Sequence, residues 1–431
     1  MTAIRTRPHD LDAERAVLGA CLLRSDPVVD LVAADFYVPA HGTIWEKMHA
    51  LRDRGQPADA SAVGAELAGA AGGIGYLAEI QAEVPTAENA DHYARRVRDT
   101  ARLRALIDAC NAVAADAYEH HTDVDGYLAE AEAAIYAATS AHAGNGGVSL
   151  REIVTGVYDE FRARAEGKTS GFMLGIPTID TATHGLQPST LVILAARPSV
   201  GKTTLAAQWA MRAAAEGKPV AIYSLEQSAG EIGERAVVSE GRLAAGAAAV
   251  GGFDADGWSA ATEAVGRLAG LPVEVDDSPS LTAAQIRSRA RRFAARHRDA
   301  PAGLIIIDYL QLVRPVSERG RSREQEVSGI SRDLKALAKE TGWTVIALSQ
   351  LRRKPSETDE PLLSDLRESG AIEQDADMVA FLHRDKAAQI TRLILAKNRN
   401  GPTGRANLVF VKQHVRFEVA APDAAGGDWH D

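Results

Sequence analysis

Residues 191–209 read Leu191-Val192-Ile193-Leu194-Ala195-Ala196-Arg197-Pro198-Ser199-Val200-Gly201-Lys202-Thr203-Thr204-Leu205-Ala206-Ala207-Gln208-Trp209. A continuously apolar run, a turn of small residues and an amphipathic stretch follow one another, which predicts strand, loop and helix. Such a turn suits an anion. The backbone N–H groups of Ser199, Val200, Gly201, Lys202, Thr203 and Thr204 can converge on phosphate oxygens, and the helix dipole adds positive potential. Lys202 can reach the β- and γ-phosphates of a nucleotide, and the Thr203 hydroxyl can hold Mg²⁺. The usual G-x-x-x-x-G-K-[ST] pattern carries Ala196 in place of its first glycine. A chance glycine-lysine turn would lack the preceding strand; here strand and helix are both in place.

The rest of the composition narrows the class. At 431 residues the chain is long enough for more than one domain, and its 46% hydrophobic and 25% charged residues are a globular profile. No apolar run approaches membrane-spanning length, and residues 1–10 lack the apolar segment of a signal peptide, so a cytoplasmic protein is expected. Cys21 and Cys110 are the two cysteines, too few for a disulfide framework or a thiolate zinc site. Both lie in alanine-rich helical segments and are expected to be buried thiols. The net charge of −10 excludes a protein coated in positive potential. It permits nucleic acid on an inner basic surface whose outside stays acidic.

Residues from about 10 to 138 read as helices, which predicts a small all-α domain over 1–138. Ile44, Trp45, Met48 and Leu51 share one helical face; Tyr93, Val97, Leu103, Ile107 and Cys110 share another, and Tyr127, Leu128, Ala131 and Ile135 a third. Residues 139–147, rich in glycine and small polar side chains, read as a linker within a connecting segment over 139–169. Ser149 and Glu152 have capping-box spacing at the head of a helix whose apolar stripe is Leu150, Ile153, Val154, Val157, Tyr158 and Phe161. That stripe either packs on its own domain or docks on a neighbouring subunit.

Over 170–420 the pattern changes to α/β. Strands are expected at 191–195, 220–225, 304–308, 344–349, 378–382, 392–396, 407–411 and 415–419, several apolar throughout, as strands covered on both faces are. Residues 421–431 read as a flexible tail.

Several strand tips carry polar groups that fit a phosphate site. Asp308 ends the run Leu304-Ile305-Ile306-Ile307 and can support the metal. Glu226, past Tyr223-Ser224-Leu225, can act on water beside the γ-phosphate, or serve as an N-terminal acid for a helix over 227–235. Gln350, ending Val345-Ile346-Ala347-Leu348-Ser349, can sense the γ-phosphate through its amide. Residues 363–370, with Arg367, Glu368 and Gly370, mix charge with flexibility and can grip sugar-phosphate, or form a solvated loop. Lys397 and Arg399 alternate along an extended segment, so both can reach one anion, as a finger acting on a neighbour's γ-phosphate would; a hairpin with ordinary surface charge is the alternative. The basic run from Arg287 to Arg298 looks helical, with charges spread around it, and reads mainly as solvated surface rather than a nucleic-acid stripe.

Taken together these segments resemble the DnaB-type replicative DNA helicases. The resemblance is carried by residues 196–204, 223–228, 305–312, 346–351, 363–377 and 397–404, and by Glu14-Arg15-Ala16-Val17-Leu18-Gly19 and Asp35-Phe36-Tyr37 near the N-terminus. Ala196 agrees with that family's pattern, whereas Gln227 stands where relatives often carry methionine. The resemblance implies a RecA-like P-loop ATPase domain with a smaller all-α N-terminal collar, assembled as a homohexamer with ATP between subunits. It implies Lys202 and Thr203 on phosphate and Mg²⁺, Glu226 activating water, Asp308 supporting the metal, Gln350 as sensor, and Lys397 and Arg399 acting in trans. Arg367, Glu368 and Gly370 would hold single-stranded DNA, the helix over 149–164 would dock on the adjacent protomer, and primase and a helicase loader would be partners. Two rivals follow from the same residues: a RecA-like recombinase, and a non-hydrolysing platform for primosome assembly.

Overall fold

The computed structural model describes residues 6–26, 29, 31–119, 121, 124–140, 150–166, 171–300, 302–313, 323–351, 360–366, 370–385, 390–420 and 429–430. Two compact units divide the chain at Ile153/Val154.

The first unit is helical: α1 (Leu11–Arg24), α2 (Pro39–Asp53), α3 (Ala60–Leu67), α4 (Gly73–Glu83), α5 (Ala90–Asp116) and α6 (Val124–Ser140). Its core is built from Val17, Leu18 and Cys21 of α1, Ile44, Trp45 and Met48 of α2, Leu77 and Ile80 of α4 and Val97 of α5. The two N-terminal motifs meet in space. The buried Glu14 carboxylate accepts the N–H of Tyr37 at 2.6 Å and that of Val38 at 3.3 Å, and pairs with His41 Nδ1 at 2.7 Å. Glu14 therefore supplies the acceptor that the N-terminus of α2, preceded by Val38, lacks.

Two of the helical faces read from the sequence are corrected. The buried stripe of α5 is Ala90, Ala94, Val97, Ala101 and Arg104, while Leu103, Ile107 and Cys110 are exposed. Small residues let α5 approach α1 closely, which turns its larger apolar side chains outward. On α6, Ala129 and Ala131 are buried and Leu128 is exposed, for the same reason.

The next helix, α7 (Leu150–Ala165), leaves Leu150, Ile153, Val154, Val157, Tyr158 and Phe161 between 39% and 73% exposed. The linker residues 141–147 and the Ser149 cap lie outside the described residues.

The second unit continues with α8 (Pro177–Thr183), β1 (Leu191–Ala196), α9 (Lys202–Ala215), β2 (Val220–Ser224), α10 (Ala229–Glu240), α11 (Ala245–Ala248), α12 (Ala255–Ala269) and β3 (Val273–Asp276). There follow α13 (Ala283–Arg296), β4 (Leu304–Asp308), α14 (Arg323–Thr341), β5 (Thr344–Gln350), α15 (Gly370–Asp375), β6 (Met378–Asp385), β7 (Ile390–Asn398), β8 (Thr403–Val411), β9 (Arg416–Val419) and β10 (Trp429–His430). They form one ten-stranded sheet in the order β10-β8-β7-β6-β1-β5-β4-β2-β3, with β9 on β8. From β6 to β3 the neighbours are parallel, and β7, β8, β9 and β10 are antiparallel.

Alternation along β1 shows why its run is apolar throughout. Val192 and Leu194 face a core with Leu205 and Trp209 of α9, while Leu191 and Ile193 face one with Phe293 of α13 and Leu334 of α14. Helices cover both faces, as an α/β sheet requires.

Strand β3, with its Val273-Glu274-Val275-Asp276 alternation, is an addition to the strands expected. The two hairpin strands β7 and β8 are longer than expected. The backbone of Trp429–His430 pairs with Thr403–Gly404 of β8, whereas the sequence suggested a free tail. The edge of β8 presents N–H and C=O groups that a returning segment can satisfy. The basic run of α13 is ion-paired: Arg287 with Asp333 and Glu340, Arg289 with Asp276, Arg291 with Glu340 and Arg296 with Glu274. Those partners come from β3 and α14, so the run serves packing between elements of its own domain.

Candidate nucleotide site

The loop between β1 and α9 wraps the helix N-terminus. Gly201 adopts φ +108°, and a Cβ there would stand 2.8 Å from the ring of Phe417, so only glycine fits this turn. Ser199 also takes a left-handed φ of 63°. Arg384 of β6 donates to the Val200 carbonyl at 3.4 Å and braces the loop from the side.

Three expected groups converge at the loop. Thr203 Oγ donates to Asp308 Oδ2 at 2.6 Å, and Lys202 Nζ lies 3.4 Å from Asp308 Oδ1 and 4.5 Å from the centre of the Tyr309 ring. Strand order produces this meeting, because β1 and β4 run parallel on either side of β5 and end at the same edge of the sheet. Lys202 and Asp308 are both buried. Burial holds the Lys202 pKa below its ordinary value, against the opposing pull of Asp308 and Glu226. Lys202 Nζ and Asp308 Oδ1 attract each other as charges, but neither completes a hydrogen bond.

Glu226 and Gln350 line the same cavity of about 600 Å³, together with residues of the loop and, further out, Arg235, Phe410 and Val415. The capping alternative for Glu226 does not hold. Helix α10 begins at Ala229 and is capped by Ser228 and Glu231 as a reciprocal box, which leaves Glu226 exposed to the cavity. Gln350 is set by a residue that the sequence reading did not single out. Gln311 donates from Nε2 to Ser349 Oγ at 2.9 Å and to the Gln350 carbonyl at 3.4 Å, and accepts the Gln350 N–H at 3.3 Å. Its position three residues after Asp308, in the same quoted motif, was the available signal.

Lys397 and Arg399 lie elsewhere. Met378, the first residue of β6, pairs with Asn398 of β7, which places this hairpin end at the amino edge of the parallel strands. The phosphate loop is at the carboxyl edge, and the six residues of β1 between them span about 20 Å. Lys397 Nζ donates to the carbonyls of Glu373 and Ala376, and Arg399 donates to Asp377 and to the Gln374 carbonyl. Burial, followed by the charge of Arg399, lowers the Lys397 pKa.

Arg367 and Glu368 lie outside the described residues. Gly370 opens α15, and the buried Leu366 bridges to Leu351 at the end of β5.

This donor set fits a nucleoside triphosphate and its metal. Hard oxygen ligands from Thr203 and Asp308 suit Mg²⁺, and a buried lysine without a hydrogen-bonded partner suits a phosphate oxygen. Fold and site thus define a RecA-like P-loop NTPase domain joined to a helical one. Comparison with known proteins carries the assignment further. Residues 171–419 match the family model of the DnaB-like helicase C terminal domain, and residues 6–99 that of the DnaB-like helicase N terminal domain. The replicative DNA helicase DnaB of Geobacillus stearothermophilus is 39% identical over 96% of this chain and 95% of its own length. Its counterpart from Leifsonia xyli is 39% identical over 97% and 95%. A solved DnaB-like replicative helicase, described with its primase interactions, superposes with a TM-score of 0.69 at 30% identity, over 96% of this chain and all of the other. The chain belongs to the DnaB-like replicative helicase family.

Proposed function

We propose that this protein is an ATP-dependent replicative DNA helicase, a homohexameric ring that translocates on single-stranded DNA and opens the duplex ahead of it. The observation that carries the reading is the division of the site. Lys202, Thr203, Asp308, Glu226 and Gln350 stand at the carboxyl edge of the sheet, while Lys397 and Arg399 stand at the amino edge and cannot reach them within one protomer. A second copy that presents its hairpin to the first copy's loop completes the site, and repetition of that heterologous contact closes a ring.

The roles follow from position. The backbone from Ser199 to Thr204 cradles the phosphates, and Lys202 neutralises the terminal ones. Thr203 and Asp308 would hold Mg²⁺, which supplies charge neutralisation at the phosphate oxygens. Glu226, exposed to the cavity, takes the proton of the attacking water. Gln350 reads the terminal phosphate through its side-chain amide, and Gln311 pins its backbone at the N–H and the carbonyl. Arg399, with Lys397, neutralises charge on the neighbour's transferring phosphoryl group. Glu226 on the cavity and Asp308 on the Thr203 hydroxyl that lines it speak for hydrolysis and against a passive platform.

The exposed stripe of α7 supports the ring as well. A recess of about 500 Å³ on the second unit, lined by Leu174, Ile176, Trp209, Leu268, Phe417 and Val419, offers a neighbour's helix an apolar seat. Arg367, Glu368 and Gly370 would grip the DNA backbone without reading bases, so binding would be nearly sequence-independent and salt-sensitive. Primase and a loader are the proposed partners, and the cytoplasm is the proposed place of action. Among the described residues no helix is long and apolar enough to cross a membrane.

The deciding experiment is Arg399→Ala. The variant is expected to retain ATP binding and the hexamer while DNA-stimulated hydrolysis falls by about 10³-fold. Undiminished turnover in the assembled variant would remove the trans assignment.

A further inference from the structure

The carboxylate of Asp377 joins three elements at the amino edge of the sheet. Asp377 stands between α15 and β6 and is 7% exposed. Its Oδ2 accepts the N–H of Leu191, the first residue of β1, at 2.8 Å, and accepts Lys335 Nζ from α14. Its Oδ1 accepts Arg399 Nη1 at 3.2 Å. The main chain repeats the connection. Asp377 N–H donates to the Leu191 carbonyl at 2.9 Å, and the Asp377 carbonyl accepts Arg399 N–H at 2.8 Å. One residue thus ties the foot of the phosphate-loop strand to the hairpin beside it on the same amino edge.

Arg399 needs such a tie. Its side chain is 52% exposed, and an unrestrained arginine has rotamer entropy that ordering must overcome. A group delivered to another protomer's phosphate is useful only if it arrives oriented, since a misplacement of about 1 Å costs rate steeply. Here two fixed acceptors, the Asp377 carboxylate and the Gln374 carbonyl, engage different nitrogens of the guanidinium. Lys397 is aimed at the same place by a bulge. Val379 pairs with Lys397 but Ala380 with Leu395, so Ala396 is the extra residue, and it turns Lys397 toward the carbonyls of Glu373 and Ala376.

We propose that Asp377 is a positioning residue for hydrolysis at the neighbouring subunit's site: it fixes the Arg399 guanidinium relative to β1, so that the phosphate-loop strand and the trans-acting group of one protomer move as one piece. This rests on the reading of Arg399 as a trans group. Asp377 stands at the amino edge, at the opposite end of β1 from the phosphate loop, and its effect passes through Arg399.

The test is Asp377→Asn in the full-length protein. DNA-stimulated kcat is expected to fall by roughly 10- to 100-fold while the KM for ATP stays near wild type, because the variant's own phosphate loop is intact. An equimolar mixture with Lys202→Ala protomers separates positioning from local damage. In mixed rings an Asp377→Asn protomer with a sound loop meets a Lys202→Ala neighbour with a sound hairpin, so the mixture should turn over faster than the mean of the two parents. If Asp377→Asn does not fold, Asp377→Glu, which keeps the charge but shifts it by a methylene, takes its place. Wild-type kcat in Asp377→Asn, or a mixture no faster than its parents' mean, would overturn the proposal provided Arg399→Ala is inactive. Turnover in Arg399→Ala would instead overturn the trans reading itself.

Discussion

At the scale of single residues, Lys202 holds the most unusual position. A lysine this deep in a protein is usually matched by a hydrogen-bonded acid. Here Asp308 is committed to Thr203, and the ammonium is left at 3.4 Å from its other oxygen. Burial lowers the Lys202 pKa from the ordinary 10.5. Bound phosphate favours the charged form, so nucleotide binding is proton-linked with a definite sign. Affinity should be full below the depressed pKa of the free protein and fall as pH rises through it, earlier than an ordinary lysine would allow. Titration with a fluorescent nucleotide from neutral into alkaline solution reads this slope. Lys202→Arg, which remains charged throughout, should bind more weakly but without that slope. A flat wild-type profile that breaks only at the ordinary lysine pKa would contradict this account of the site.

At the scale of elements, the motifs around the loop were legible because each combines a strand, a tip and a functional group within a few residues. Helical faces in the first unit were less legible. Periodicity marks Leu103, Ile107 and Leu128 as candidates for burial, yet the contacts are made by alanines, because close helix approach favours small side chains over large ones. Gly19 shows the same close approach. A Cβ there would lie 2.5 Å from the Ile80 carbonyl oxygen and 2.7 Å from Val84 Cγ2, at the crossing of α1 and α4. Gly19→Ala should therefore destabilise the first unit by about 1–3 kcal/mol, as overpacking does, despite alanine's better helix propensity. Denaturant unfolding of the variant checks the sign. A gain in stability would mean that α1 and α4 can separate freely.

At the scale of the whole molecule, two features bear on the proposed ring. The stripe of α7 is exposed, and Arg399 stands on the wrong edge of its own sheet. Both are what the proposed ring of identical subunits would use. Val157→Asp places a charge in the middle of the α7 stripe and should leave each unit folded while it reduces the hexamer to smaller species. Light scattering coupled to size exclusion measures this, and an intact hexamer would locate the subunit contact elsewhere. DNA-stimulated hydrolysis should be lost with the hexamer, because the phosphate loop and Arg399 no longer meet.

Local chemistry determined much of this protein from sequence alone. An apolar strand, a glycine-lysine-threonine turn and a carboxylate at the tip of another apolar strand specify a phosphate site, since each needs only its immediate neighbours to take its conformation. Tertiary structure alone decided which of these groups meet. The parallel order of β1, β5 and β4 brings Asp308 to Thr203, a reciprocal cap at Ser228 frees Glu226, and the antiparallel return of β7 carries Arg399 to the far edge beside Asp377. Strand order and direction are properties of long-range pairing, which no short stretch of residues encodes.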